Sequence, residues 1–145
     1  MLVPDWLVLR LLSKSTLNTK IEYLEFGERF GMSGPWIGKL KIDNILLKYE
    51  FLHENFIYSS DRNLILFNRF EGYSRNERIF RILVLNKLNQ KHYLSKLSWK
   101  AMYLTKFDKE EIYFTNAFHD GDRQKFPEKS ILFNHDNFLE INLCV

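Results

Sequence analysis

Residues 45–51 read ILLKYEF, in which Ile45, Leu47, Tyr49 and Phe51 alternate with Lys48 and Glu50. Successive side chains of an extended strand point to opposite faces, so a period of two describes a strand with one buried face and one largely wet face. Outward from this stretch, residues 64–70 (LILFNRF) and 79–85 (IFRILVL) carry apolar groups on both parities. That pattern predicts central strands covered on both sides. Further runs rich in β-branched and aromatic residues occupy Phe56 to Ser59, Tyr93 to Ser98, Ala101 to Thr105, Ile112 to Phe118, Ile131 to Phe133 and Phe138 to Leu143. Between them, Ser60 to Asn63, Lys106 to Glu110 and Asn134 to Asn137 consist of residues that tolerate turn geometry and predict hairpins. From Trp36 onward the chain therefore predicts a mainly β protein, an antiparallel meander forming a sandwich or a barrel-like single domain over residues 1–145.

The segment before Trp36 reads differently. Thr19 and Glu22 have capping-box spacing, Ile21, Leu24 and Glu28 recur at helical intervals, and Gly31 stands where a helix would stop. These signals predict a short N-terminal helix, which would make the class α+β, although Ile21 to Phe26 reads equally well as a strand. Trp6 to Leu12 is too short an apolar run for its period to decide. It follows Asp5 and precedes no small-residue cleavage site, so it is read as structure rather than as a signal peptide. No stretch reaches the roughly 20 uncharged apolar residues of a membrane-spanning helix.

With 145 residues, 46% of them hydrophobic and thirteen of them Phe, the chain can bury a core without staples. Its one cysteine, Cys144, excludes an intrachain disulfide and an all-cysteine zinc site. A reducing, cytoplasmic setting is expected. The net charge of +3 is unevenly spread: residues 1–61 sum to −1, residues 62–106 to +8 and residues 107–145 to −4.

Chemistry-bearing motifs are sparse. His119, Asp120 and Asp122 place an imidazole and two carboxylates within four residues, but a calcium loop needs a longer ligand series and catalytic zinc needs further nitrogen or sulfur donors. His135 and Asp136 read the same way, as turn residues. No nucleophile elbow, P-loop or dinucleotide fingerprint occurs, and Glu110 and Glu111 fall in a turn where solvent keeps carboxylates ordinary. No cofactor, metal or catalytic residue is expected. The residues that remain belong to surfaces. Asp108, Glu110 and Glu111 in one turn, with His119, Asp120, Asp122 and Arg123 in the next loop, form a candidate protein-binding surface. Arg69, Arg75, Arg78, Arg81, Lys87 and Lys91 form an alternative basic patch, extended by Arg62, Lys96 and Lys100 and interleaved with Phe70, Tyr73, Phe80, Tyr93 and Trp99. Cations interleaved with rings suit nucleic acid, the cations holding phosphate and the rings stacking on bases.

Gly34-Pro35-Trp36, ahead of a series of strands, resembles the Gly-x-Trp opening of lipocalin-type barrels. That resemblance implies a closed up-and-down barrel holding a small apolar ligand. In size, single-domain build, aromatic β character and want of catalytic residues, the whole chain resembles the immunity proteins of bacterial polymorphic toxins. That resemblance implies a cytoplasmic, non-enzymatic partner that covers a toxin's active site through a complementary charged surface. Many such proteins are acidic, whereas this chain has a pI near 8.9. The acidic C-terminal portion is then the part expected to face a basic toxin.

Overall fold

The computed structural model describes residues 20–28, 35–75, 77–89, 91–117 and 126–142. In chain order the strands are β1 (Ile21–Glu28), β2 (Trp36–Ile42), β3 (Ile45–Tyr58), β4 (Leu64–Ser74), β5 (Glu77–Asn86), β6 (Lys91–Ser95), β7 (Tyr103–Asp108), β8 (Glu111–Thr115), β9 (Lys129–Leu132) and β10 (Phe138–Ile141). They form two antiparallel sheets, one in the order β1-β2-β3-β4-β5-β6-β10 and one in the order β7-β8-β9. The second sheet is thus an excursion between β6 and β10, after which Phe138 to Ile141 returns to pair with Ser95 to His92.

The double-parity runs behave as their composition demands. Leu66, Phe70, Phe80, Ile82 and Val84 of β4 and β5 pack with Leu104, Ile112, Phe114 and Ile131 of the smaller sheet and with Met102 just ahead of it. On the opposite face, Ile65, Phe67, Leu83 and Leu85 pack with Leu40, Ile42, Leu47 and Phe51. Complete burial of each such side chain stabilises the fold by about 2 kcal/mol. The architecture is a sandwich of unequal sheets. Its larger sheet ends at β1 and β10 without closing on itself, so the closed barrel implied by Gly34-Pro35-Trp36 is corrected; Trp36 simply opens β2.

Two expectations about local structure also change. Ile21–Glu28 is a strand, not the continuation of a helix from Thr19. The register slips between Leu24 and Gly27, with Glu25 at φ 51, so one extra residue enters the strand. A bulge of this kind shifts a period of two toward three and imitates helical spacing. Thr19 itself and Trp6 to Leu12 lie outside the described residues. Likewise, Phe56 to Ser59 is not a separate strand: Phe56 to Tyr58 is the far end of β3, joined through a register shift that includes Glu54, whose φ is 55, and Ser59 lies just past it. That shift turns Asn55 into the interior.

Asn55 and Asn68 join the two sheets. The Asn55 amide donates to the Leu104 carbonyl (3.1 Å) and its Oδ1 accepts from the Leu104 N–H (2.9 Å), as a neighbouring strand would. Asn68 Nδ2 donates to Asn55 Oδ1 (3.0 Å) and to the Met102 carbonyl (2.6 Å). Both side chains are buried, where hydrogen bonds left unmade are costly.

Candidate functional site: an acidic aromatic face and a cationic cleft

The β7–β8 hairpin closes on Lys109 and Glu110, with φ values of 49 and 66. The turn is tighter than the sequence suggests, because β7 continues through Lys106 and Asp108, which read as turn residues. Inward-facing Ile112 and Phe114 leave Glu111 and Tyr113 on the outer face of the smaller sheet. Register partners share a face, and the partners here are Asp108 and Leu132 for Glu111, and Lys106 and Ser130 for Tyr113. The outer face therefore presents Tyr113 and the exposed Leu132 among carboxylates. Lys106 Nζ sits 4.6 Å from the Tyr113 ring centroid, and Glu128 accepts a 2.9 Å hydrogen bond from Thr105. The negative field is strong enough to raise the Tyr113 phenol above its ordinary pKa, first through Glu111, then through burial, Asp108 and Glu128.

Of the residues expected to bind a protein partner, Asp108 and Glu111 thus lie on this face and Glu110 at its exposed tip. His119, Asp120, Asp122 and Arg123 lie outside the described residues. Tyr113, Leu132 and Glu128 complete the face and were not singled out by sequence reasoning. Tyr113 and Leu132 resemble core positions in a run of apolar residues, and only strand register reveals that they point outward.

The basic segment divides in two. Arg69 is buried, its guanidinium 3.6 Å over the Tyr49 ring and Nη2 3.1 Å from Glu71. Lys87 is almost buried at the far end of β5, and that burial pulls its ammonium below the ordinary lysine value. Lys91 is exposed and pairs with Glu140 at 3.1 Å. By contrast, Arg75, Arg78 and Arg81 line one open cleft of about 480 Å³ with Glu77, Ile79, Ser98, Trp99 and Lys100. Three of the six expected cations come together and three do not.

A second, smaller cleft of about 280 Å³ at the β6–β10 edge holds Lys91, Tyr93, His135 and Glu140, with Phe133 and Phe138 as its apolar wall. Lys91 and Glu140 are engaged with each other there. Among the described residues no three His, Cys, Asp or Glu side chains converge as a metal set, and no helix is long and apolar enough to cross a membrane.

These features define a β-sandwich carrying an acidic aromatic face and a separate cationic cleft. Compared with protein-family models, curated proteins and solved structures, the chain finds no match in any of the three.

Proposed function

We propose that this chain is a non-enzymatic binding module whose outer β7-β8-β9 face docks onto a basic protein surface, and that it serves as an immunity protein covering the active site of a bacterial toxin in the cytoplasm. The observation that carries this reading is the setting of Tyr113. An outward aromatic ring lies beside an exposed leucine, with Asp108, Glu111 and Glu128 close enough to perturb its phenol. Tyrosine is among the residues that most often anchor protein interfaces, and a local negative field selects and steers a positive partner. The overall pI near 8.9 does not oppose this, because recognition depends on the docking face rather than on the net charge.

The turn supports the same surface. Lys109 and Glu110 occupy the left-handed backbone region, in which Asn-Gly would be far easier. Charged side chains in so costly a backbone conformation are a reason to look for function there.

The first test is the neighbouring gene: it is expected to encode a secreted toxin domain, and a gene standing alone among metabolic enzymes would reject the immunity role. Co-expression is expected to rescue growth of cells producing that domain. Asp108→Lys with Glu111→Lys is expected to slow association of the purified proteins about tenfold at low salt and to flatten its salt dependence. Full rescue and unchanged association by the double variant would reject this face as the docking surface. Binding with no rescue would reject the inhibitory role.

A further inference from the structure

The cationic cleft lies apart from the acidic face and is built from different strands. Its wall is formed where the chain leaves β6 at Ser95 and returns to β5 through a two-residue bridge, Phe80 and Trp99 exchanging backbone hydrogen bonds of 2.9 Å each. The intervening loop is fastened from inside. Ser95 Oγ accepts the Ile82 N–H (3.0 Å) and donates to the Leu97 carbonyl (2.8 Å), while Arg81 Nη1 reaches the carbonyls of Ser95 (3.1 Å) and Lys96 (3.0 Å). Trp99 is held by Phe114, with 4.8 Å between ring centroids. The cleft is therefore preformed, which lowers the ordering cost of binding.

Charge is concentrated there. Glu71 is shared by Arg69 and Arg81, and Glu77 is paired with Lys100 at 2.8 Å. Among the described residues, Glu71 and Glu77 thus stand against the four cations that line the cleft, Arg75, Arg78, Arg81 and Lys100, leaving an excess of two positive charges. Arg75 projects from the β4–β5 turn with its backbone at φ 51. Guanidinium groups present planar forks that match phosphate oxygens bidentately. Ile79 and Trp99 supply an apolar and aromatic wall beside that charge, in a space the size of a nucleotide.

We propose that this cleft is a nucleotide-phosphate site, in which Arg75 and Arg78 hold phosphate and the Ile79–Trp99 wall packs against the base or sugar. The ligand is a phosphate ester of nucleotide size, supplied either by a free nucleotide or by single-stranded nucleic acid. Fluorescence anisotropy of a labelled short single-stranded RNA is measured at 50 and 200 mM salt, with ATP, inorganic pyrophosphate and a poly-glutamate peptide as competitors. Two phosphate contacts predict a loss of affinity of about sevenfold between the two salt concentrations. Arg75→Gln with Arg78→Gln is expected to weaken binding at least about tenfold, and Lys48→Gln, on an exposed side chain of β3, to leave it unchanged. Displacement by ATP or pyrophosphate identifies a free phosphate ester as a sufficient ligand; RNA binding that resists both identifies the strand. Equal displacement by poly-glutamate would show an unspecific anion surface and overturn the proposal. So would no binding of either RNA or ATP at 50 mM salt, or binding indifferent to the arginine substitutions. Arg75→Gln alone, at an exposed turn, supplies the same comparison if the double variant fails to fold.

Discussion

Asn55 is the residue on which the union of the two sheets turns. Its amide occupies both backbone groups of Leu104, so truncation strands a buried N–H and a buried C=O together. Each such group costs about 1–3 kcal/mol when left unpaired. Asn55→Ala is accordingly expected to lower stability by about 3 kcal/mol, seen in urea as a lower midpoint with an unchanged slope. A loss below about 1 kcal/mol would show that the neighbouring apolar packing alone joins the sheets. This residue was not legible in the sequence. Within His53-Glu54-Asn55 the alternation of β3 breaks, so residues 45–51 and 56–59 read as two separate strands. The chain instead keeps going, because one left-handed residue at Glu54 absorbs the irregularity.

At the scale of elements, the hairpin turns are held in different ways. The β3–β4 turn uses side chains suited to it: Asp61 Oδ1 accepts from the Ser59 hydroxyl (2.6 Å) and from the Asn63 N–H (3.0 Å). Those hydrogen bonds hold the Asp61 carboxyl below its ordinary pKa. The β7–β8 turn has no such help. Two residues with side chains occupy left-handed conformations there, each at a cost of about 1–2 kcal/mol. Lys109→Asn with Glu110→Gly should therefore raise stability by about 1 kcal/mol after the extra freedom glycine brings to the unfolded chain. Thermal unfolding followed by circular dichroism checks this, and an unchanged or lower midpoint would count against strain in the turn.

The elements divide by legibility along the same line. Where the alternation is intact, as in residues 45–51, or the run is apolar on both parities, as in 64–70 and 79–85, the strand and its burial are readable. Where a bulge intervened, as between Leu24 and Gly27, the same residues imitated a helix. The turn at Lys106 to Glu110 is legible but not its start, because polar Lys106 and Asp108 flank Phe107, which continues the inward face of β7.

The whole molecule depends on pairings far apart in sequence. Asn55 reaches Leu104, and β10 pairs with β6 only after the smaller sheet has been threaded between them. Folds dominated by such non-local pairings fold in milliseconds to seconds. Stopped-flow refolding is expected to follow a single exponential in that range, and complete recovery within microseconds would contradict the topology. The candidate sites were also limited at this scale. The charge excess of residues 62–106 was visible, but which cations meet depends on strand direction and on the return of Trp99 to Phe80. That bridge carries Lys100 to Arg75 and Arg78, whereas Lys87 ends up at the other end of β5. Neither the sign of a charge nor its spacing contains that information.

The late arrival of β10 bears on how the protein is made. Its partner β6 emerges from the ribosome more than forty residues earlier, as the distance from Ser95 to Phe138 requires. At about 5–20 residues per second, the nascent chain waits roughly 2–9 s with His92, Tyr93 and Leu94 offering bare amides and carbonyls. An unpaired edge of that kind recruits any extended segment nearby, including one from a neighbouring nascent chain. Crowded synthesis, rather than instability of the finished molecule, is then the point at which misassembly begins.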